Sequence, residues 1–526
     1  LEFRRVLFRS RVAVDGIDLL RGAFIRLDHY ALDAAARELL GEGKTISGDD
    51  RGAEIERLYQ EDLPAFLDYN LTDARLVIDI LEKRRLIPLA VRRTLLTGLP
   101  LDRVAASIAA FDFLYIGALH RRGVVAPSVR ESDAAQGATS AGHAVREPSP
   151  AAIGGYVLDS APGIYANVWV FDYQSLYPSI IRTFQIDPLG AAAAKRDPDG
   201  PAVAAPNGVR FRRGEGILPE ILEALMPRRL EAKRKGHQVE SLAIKILMNS
   251  FYGVLASPRC RFYSTHVSNA ITTFGQKILL WTKEQFEARG YQVIYGDTDS
   301  VFVVSGIVSS SEAERTAQAA ARDLNEALHR YVREAYDMES HLLLEFEKQY
   351  LRFFMPSLRH TASGSKKRYA GLIERGGTRE IVFTGLESVR RDWTVLAKDF
   401  QRQLLHRVFS EESVDAFVQG FLDELRAGER DGDLVYRKAL RKPLAEYGKT
   451  TPPHVKAARL IPGRPGRLIS YVMTTEGPQP VGHASAPLDY DHYVEKQLRP
   501  IAESILQHVG RTFDEFLGRG DQLGLL

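Results

Sequence analysis

Two apolar runs meet around a short acidic turn in the middle of the chain. Val293–Ile294 precede Gly296–Asp299, and Val301–Val303 follow it. Runs of this kind predict β-strands, and the polar turn predicts a β-hairpin with Asp297 and Asp299 at its tip. Strand alternation is expected to aim both carboxylates to one side, where their repulsion favours a bound divalent cation. An isolated Asp-x-Asp is more often only a polar turn, so this motif alone does not decide between the two interpretations.

A third carboxylate, that of Asp172, strengthens the metal interpretation. The apolar segment Asn167–Asp172 predicts a second buried strand that ends on this residue, and Tyr177-Pro178 then opens a helix with Pro in its first turn. Hard ions such as Mg²⁺ prefer oxygen ligands. Three carboxylates on two strands are suited to two Mg²⁺ ions, which would activate an attacking hydroxyl and stabilise a leaving pyrophosphate. The expected substrate is a nucleoside triphosphate.

Two helical stretches carry cations at helical spacing. Lys245, Asn249 and Tyr252 recur at i, i+4 and i+7, and Arg229 and Lys233 recur at i, i+4. Lys and Arg on such faces bind phosphate oxygens. For Arg229 and Lys233 alone, an ordinary solvated basic face is the better interpretation. It is weaker for Lys245, whose neighbours are apolar.

Composition limits the protein class without deciding its function. The 526 residues predict three or four domains, and 45% hydrophobic with 26% charged residues is typical of a globular protein. The 70 Lys and Arg against 67 Asp and Glu leave +3, so binding to a polyanion would depend on local clusters. The one cysteine, Cys260, excludes an internal disulfide and favours a packing role in a reducing compartment. The sequence predicts no membrane span and no signal peptide.

Three of these segments, in this order, resemble the polymerase motifs of family B DNA polymerases, and most closely its bacterial DNA polymerase II group. They are Asp-Tyr-Gln-Ser-Leu-Tyr-Pro-Ser-Ile from Asp172, Lys-Ile-Leu-Met-Asn-Ser-Phe-Tyr-Gly from Lys245 and Tyr-Gly-Asp-Thr-Asp-Ser from Tyr295. The resemblance covers nearly the whole chain after Val12, including residues 364–372, 385–393 and 452–459. Any one motif is weak by itself, whereas three in order are specific.

The resemblance implies an α+β, right-hand polymerase fold of palm, fingers and thumb with a partial exonuclease domain. The expected divisions are residues 1–10 as a cloning or assembly artefact, 11–126 as the carboxy-terminal part of a 3′–5′ exonuclease domain, 127–152 as a linker, 153–215 as the first part of the palm, 216–258 as fingers, 259–388 as the second part of the palm, 389–520 as thumb and 521–526 as a clamp-binding tail.

The resemblance also implies a role for each matching residue. Asp172, Asp297 and Asp299 are the expected catalytic and metal-binding residues, for two Mg²⁺ ions with Mn²⁺ as a substitute. The residues expected to bind dNTP are Ser175, Leu176, Tyr177, Arg229, Lys233, Lys245, Asn249 and Tyr252, with the ring of Tyr177 excluding a 2′-hydroxyl. Those expected to bind primer-template DNA are Gly154, Gly155, Tyr156, Lys366, Lys367 and Tyr369. Without the resemblance, the two lysines are simply an exposed basic turn.

Two further segments depart from the family's pattern. Pro227 precedes Arg229 inside an expected fingers helix and is predicted to kink or restart it, which weakens the role of Arg229.

Tyr69 and Asp73, at i, i+4, resemble the third exonuclease motif, but no earlier segment resembles the other carboxylate motifs. A core Tyr with a surface Asp is the plain alternative. We therefore expect a chain truncated at its amino terminus, from a protein that proofreads in full length.

The last residues resemble a short peptide that binds the sliding clamp, through Gln522, Leu523, Leu525 and Leu526. A frayed apolar end is the alternative. The family implies a bacterial, cytoplasmic, nucleoid-associated enzyme of DNA replication and repair or replication restart. Two other functions stay open: a nuclease that uses the same carboxylates, which would not need the Lys245 face, and an inactive DNA-binding scaffold, which typically loses the carboxylates.

Overall fold

The computed structural model describes residues 12–27, 29–46, 51–128, 151–307, 310–357, 364–448, 451–463 and 465–518. The expected artefact at 1–10, most of the expected linker and the whole clamp-binding tail lie outside the described residues. The chain forms two compact units. The first consists of Leu1–Tyr156, Tyr173–Ile278 and Asn325–Leu343, and the second of Val157–Asp172, Leu279–Leu324 and Leu344–Leu526.

Helices and strands are both abundant, as the predicted α+β class requires. The strands are β1 (Gly163–Tyr173), β2 (Ala202–Ala204), β3 (Arg210–Arg212), β4 (Gln292–Asp297), β5 (Ser300–Val304), β6 (Leu344–Met355), β7 (Tyr369–Arg375), β8 (Thr378–Thr384), β9 (Tyr436–Ala439), β10 (Leu468–Thr474) and β11 (Gly477–Pro480). No helix in the described part of the chain is long and apolar enough to cross a membrane.

The amino-terminal part of the first unit is helical. Its helices are Gly16–Gly22, Leu32–Leu40, Arg51–Glu61, Leu63–Lys83, Leu86–Thr97 and Ser107–Arg121. Asp62 caps the longest of them by accepting a hydrogen bond from the Ala65 N–H, and Pro64 lies in its first turn. Leu76 and Ile80 of that helix are buried against Leu20, which gives these helices a core of their own.

A buried carboxylate ties two parts of the first unit together. Asp187 accepts hydrogen bonds from the Tyr115 hydroxyl at 2.8 Å and from the N–H groups of Leu189, Gly190 and Leu218 at 2.8, 3.1 and 2.9 Å. Burial raises the pKa of Asp187, and the four donors act in the opposite direction. Because Leu218 lies in the helix Ile217–Arg234, this carboxylate joins that helix to the helix Ser107–Arg121. Neither Tyr115 nor Asp187 lies in a motif that the sequence indicated as functional.

Two long helices follow in the first unit, Ile217–Arg234 and Gln238–Leu255, joined by a turn in which Gly236 has a φ of 72°. Both stretches were predicted as helical. The helix does not restart at Pro227, since it runs without a break from Ile217 to Arg234, and the predicted kink stays a prediction. Pro227 is exposed, so the Glu223 carbonyl that loses its N–H partner can be hydrated.

The second unit contains a six-stranded sheet in the order β4-β5-β1-β6-β7-β8. The pairs β4–β5, β1–β5, β6–β7 and β7–β8 are antiparallel. Side chains from several strands form the sheet core, with Val168, Ile294, Phe302 and Phe353 all buried. The predicted strand at 167–172 and the predicted hairpin at 293–304 are both confirmed, and they are neighbours in this sheet.

The carboxy-terminal part of the second unit is mainly helical, with a large apolar core beneath the helices Val395–Phe409, Asp415–Arg426 and Arg499–Leu506. It also contains a three-stranded sheet, β11-β10-β9, that the sequence analysis did not predict. These strands are four to seven residues long, and β9 carries exposed Arg437 and Lys438. Such short, partly polar strands lack the apolar alternation from which a strand is predicted.

Candidate active site

The acidic hairpin turn is built on a two-residue loop in the second unit. β4 ends at Asp297 and β5 begins at Ser300, and Thr298 has a φ of 60° in the turn between them. The Asp299 N–H donates to the Asp297 carbonyl at 2.7 Å, and the Thr298 hydroxyl donates to Asp297 Oδ1 at 3.0 Å. Asp299 thus belongs to the turn and not to a strand, so the expected strand alternation does not set the direction of its carboxylate.

The sheet register brings the first motif beside the hairpin. Asp172 on β1 pairs with Ser300 on β5, and Ser300 also pairs with Asp297 on β4. Residues paired across neighbouring strands point to the same face. With strands about 4.8 Å apart, the Cα atoms of Asp172 and Asp297 are separated by about 10 Å. Asp299 is the chain neighbour of Ser300, so all three predicted carboxylates border one residue of β5.

Two glutamates that the sequence analysis missed accompany these aspartates. A cleft of about 590 Å³ in the second unit is lined by Asp172, Gln318, Ala321, Arg322, Glu345, Phe346 and Glu347. Glu345 and Glu347 lie on β6, the strand next to β1. Their spacing was a usable signal, because two carboxylates at i, i+2 in a strand share a face. Asp172 of β1 therefore lines the same cleft as Glu345 and Glu347 of β6.

Burial and nearby negative charge both disfavour the ionised form of Asp299. Burial raises the pKa of this carboxyl, the negative charges of Asp297 and Glu347 raise it further, and the Lys367 ammonium opposes the rise. A divalent cation would relieve this repulsion, and carboxylate oxygens are the donors that Mg²⁺ prefers. Within the described ranges no group of three or more His, Cys, Asp or Glu side chains is arranged as a metal cluster. The donor chemistry fits a metal, while the side chains do not form a closed cage.

The predicted DNA-binding lysines lie in a turn beside the hairpin. Lys367 Nζ is 3.2 Å from Asp297 Oδ1, and the Lys367 N–H donates to the Tyr295 hydroxyl at 3.0 Å. Lys366 Nζ contacts the Val157 carbonyl at 3.2 Å. Since the Lys367 side chain is 62% exposed, its ion pair contributes only about 0–1 kcal/mol to stability. The ion pair therefore matters more for the position of the Lys367 side chain than for the stability of the fold.

Tyr369, the third residue of that predicted group, packs in an aromatic cluster. Its ring centroid is 5.3 Å from those of Phe302 and Phe353, and its side chain is half-buried. The expected contact of Tyr369 with DNA stays a prediction.

In the first unit the predicted nucleotide-binding residues form two groups. Arg229 Nη1 donates to the Ser175 hydroxyl at 2.8 Å, and Ser175 has a φ of 51° just before the helix Leu176–Thr183. Leu176 is buried. Lys233 is exposed on the helix that carries Arg229, and Lys245 and Asn249 are exposed on the helix Gln238–Leu255. The apolar surroundings of Lys245 in the sequence do not bury it.

The second group is aromatic. The rings of Tyr177 and Tyr252 lie with centroids 4.9 Å apart, inclined at 52°. The Tyr252 hydroxyl donates to the Ile153 carbonyl at 2.7 Å, and burial raises the pKa of Tyr252, which keeps this donor protonated. The following residues, Gly154, Gly155 and Tyr156, are exposed. Tyr252 thus connects the predicted sugar-excluding ring to the segment predicted to follow the template.

Tyr69 and Asp73 lie one turn apart on the helix Leu63–Lys83, as predicted. Asp73 forms an ion pair with Lys44, whose Nζ also lies 5.5 Å from the centre of the Tyr69 ring. Lys44 was not among the predicted residues, and nothing in its local sequence pointed to it. Tyr69 is buried, as the plain alternative of a core tyrosine requires, whereas Asp73 is half-buried in its ion pair and not on the surface.

Residues 105–509 match the family model described as DNA polymerase family B. The chain belongs to family B of the DNA polymerases. The match begins within the amino-terminal helices. It covers the motifs that contain Asp172 and Asp297, on the six-stranded sheet, and the motif that begins at Lys245. The predicted family is confirmed.

Family B relatives show how much of such a protein this chain spans. It is 44% identical to DNA polymerase II of Escherichia coli, over 98% of this chain and 66% of that protein. It is 30% identical to DNA polymerase 2 of Aeropyrum pernix, over 87% of this chain and 55% of that protein. The predicted likeness to DNA polymerase II is therefore confirmed. The chain spans about two thirds or less of the length of these two relatives.

A solved family B structure has the same mixed helical and sheet architecture. The family B DNA polymerase of Pyrobaculum calidifontis aligns with a TM-score of 0.61 at 27% identity, over 94% of this chain and 64% of that one. The predicted mixed helical and sheet fold of a family B polymerase is therefore confirmed, whereas the partial exonuclease domain stays a prediction.

Proposed function

We propose that this chain is the polymerising part of a template-directed DNA polymerase that adds dNTPs to a primer 3′ end. One observation carries the proposal: Asp172 and Asp297, from two separate motifs, lie on either side of Ser300 in one sheet. Carboxylates held in register by strands suit a reaction that needs fixed charge more than moving protein groups. Membership in family B supports the same reaction.

Asp172, Asp297 and Asp299 are the proposed ligands of two Mg²⁺ ions, with Mn²⁺ as a substitute. When bound, the ions would lower the pKa of the primer hydroxyl and offset charge on the leaving pyrophosphate. Glu347 adds negative charge beside Asp299 and so strengthens the attraction for a cation. This chain's own contribution is to hold the three carboxylates at one end of the sheet.

The residues of the first unit are proposed to bind the incoming nucleotide. Arg229 and the exposed Lys233 and Lys245 offer cations for phosphate oxygens, and the hydrogen bond from Arg229 to Ser175 fixes the arginine beside the start of a helix. The Tyr177 ring, supported by Tyr252, is proposed to reject a ribose 2′-hydroxyl by its bulk. Leu176 and Asn249 complete the proposed set.

We assign palm, fingers and thumb to the predicted divisions as part of this proposal. Primer-template DNA is the proposed partner of Gly154, Gly155, Tyr156, Lys366, Lys367 and Tyr369. A role in DNA repair or replication restart in the bacterial cytoplasm, clamp binding through Gln522, Leu523, Leu525 and Leu526, and 3′–5′ proofreading that uses Tyr69 and Asp73 belong to the proposal for the whole protein.

The deciding experiment is extension of a primed DNA template by the purified chain, with Mg²⁺ and four dNTPs, beside Asp297→Asn and Asp172→Asn. The matched control is Asp433→Asn, which changes an aspartate in the carboxy-terminal part of the second unit. Template-dependent extension that is lost in both motif variants and kept in the control supports the proposal. Degradation of DNA without extension would instead support the nuclease, and DNA binding without either activity would support the scaffold.

A further inference from the structure

We propose that Glu387 is a positioning residue for the lysine turn, defined as Lys366–Arg368, and that it acts through Arg368 to hold Lys367 beside Asp297. The inference rests on the proposed polymerase function, which makes Asp297 part of the active site. It gives Glu387, a residue outside the carboxylate hairpin, a role in the rate of nucleotide addition.

The lysine turn is tied to a buried carboxylate, that of Glu387, which is held through both of its oxygens. Glu387 is only 6% exposed, and both of its oxygens are used. One oxygen pairs with the Arg368 guanidinium, and the other accepts a hydrogen bond from Gln401 Nε2 at 2.8 Å. Gln401 is fully buried on the helix Val395–Phe409, and its Oε1 accepts from the Ser388 N–H at 2.7 Å. A carboxylate held in this way has little freedom to move.

The backbone of the lysine turn is constrained as well. Lys367 has a φ of 60°, in the left-handed region that residues with a Cβ adopt at a cost. Gly385, whose φ is 62°, lies directly against the Lys367 carbonyl, where any Cβ would overlap the oxygen. The surrounding structure must therefore hold Lys367 in this conformation.

Contacts on two sides fix the position of the lysine turn relative to Asp297. The Lys367 N–H donates to the Tyr295 hydroxyl, which also lies 3.5 Å from Asp297 Oδ2, and Lys367 Nζ lies 3.2 Å from Asp297 Oδ1. Tyr295 anchors the turn to β4, while Arg368 anchors it to Glu387 and so to the helix Val395–Phe409. Because the Lys367–Asp297 pair is weak by itself, its geometry depends on these two anchors.

Steady-state and single-turnover extension by the Glu387→Gln variant test this inference. Glutamine keeps the size and a hydrogen-bonding oxygen but removes the charge that holds Arg368. We expect the extension rate at saturating dNTP and saturating primer-template to fall on the order of tenfold. The matched control is Glu424→Gln, which breaks a Glu–Arg pair with Arg430 in the same unit, away from the lysine turn.

A merely structural role is distinguished by combining Glu387→Gln with Lys367→Met. If Glu387 acts through Lys367, the double variant extends at the rate of Lys367→Met alone, because the second change removes what the first one positions. Rate losses that multiply in the double variant would overturn the inference. An effect of Glu387→Gln no larger than that of Glu424→Gln would do the same.

Hydrogen exchange provides a readout that does not depend on activity. The peptide that contains the Lys367 amide should exchange faster in Glu387→Gln than in the wild type, whereas Glu424→Gln should leave it unchanged. Equal protection in all three proteins would overturn the inference even if the chain extends DNA. If the wild type fails to extend a primer, the polymerase proposal fails, and the exchange measurement still decides whether Glu387 holds the turn.

Discussion

Asp172 and Asp297 are both paired with Ser300, one on each side of β5. The two motifs are far apart in sequence, and a single short strand sets their separation. Any change in the pairing register of β5 would shift both carboxylates at once relative to Ser300, since a slip of one residue turns side chains to the other face.

Asp299→Asn is expected to stabilise the metal-free protein while abolishing extension. The wild-type carboxyl has a raised pKa, so its ionised form is disfavoured in the folded state. The cost is absent well below the unfolded-state pKa of about 4, where the group is protonated in both states; it grows between the unfolded-state and the folded-state pKa and stays constant above the latter. Thermal melts in EDTA at pH 7 should show a midpoint higher by about 2 °C. Adding Mg²⁺ should raise the midpoint of the wild type more than that of the variant; an equal rise in both would contradict a metal role for Asp299.

Tyr115→Phe is expected to destabilise the first unit without touching the proposed active site. The change removes one of four donors to the buried Asp187 carboxylate, and the aromatic packing with Phe111 and Phe262 is retained. Loss of a hydrogen bond to a buried charge costs about 1.5–3 kcal/mol. Urea unfolding should report this loss. Tyr263→Phe, at a more exposed tyrosine, is the control and should change stability by less than about 0.5 kcal/mol.

Tyr177→Ala is expected to weaken discrimination against ribonucleotides. Removing the ring opens space next to Tyr252, so a 2′-hydroxyl would no longer meet a steric barrier. The ratio of kcat/KM for dCTP to that for CTP should fall by at least about tenfold. Tyr252→Phe keeps both rings and loses only the hydrogen bond to Ile153, so it should retain most of the discrimination. An unchanged ratio in Tyr177→Ala would remove Tyr177 from the proposed sugar contact.

Asp73→Asn tests whether the Lys44–Asp73 pair is structural. The pair is largely shielded, with side-chain exposures of 13% and 24%, so its loss should lower stability by about 1–2 kcal/mol. Lys44→Met should cause a similar loss, and the double variant should be less unstable than the sum of the two predicts. The same proteins assayed on single-stranded DNA reveal any 3′–5′ degradation that depends on Asp73. Additive stability losses would argue that the two side chains do not interact in solution.

The sequence was sufficient for elements whose pattern is local. The hairpin around Asp297 and the helices that carry Arg229 and Lys245 follow from apolar runs and helical spacing, and all three form as predicted. The pairing of Asp172 with Ser300 depends on long-range strand order, which no local pattern contains. The spacing of Glu345 and Glu347 shows that the two carboxylates share a face of β6, but only the strand order places that face beside Asp172.

Single residues also show where the surroundings in the fold outweigh an expectation based on the local sequence. Pro227 was expected to interrupt a helix, yet it is exposed and the helix continues through it. Lys367 looked like an exposed basic turn, which it is, but its contacts with Tyr295 and Asp297 come from another part of the chain. The short sheet of β9, β10 and β11 went unpredicted because strands of four to seven residues carry little periodic signal.

The sheet order also sets a sequence of events during protein synthesis. β1 leaves the ribosome more than one hundred residues before its partner β5, since the helices from Leu176 to Ala288 are translated between them. At synthesis rates of about 5–20 residues per second, this delay is on the order of 10 s. Throughout it, the apolar stretch Val168–Phe171 has no strand partner on the β5 side, and it is the segment of this nascent chain for which we expect chaperone protection to matter most.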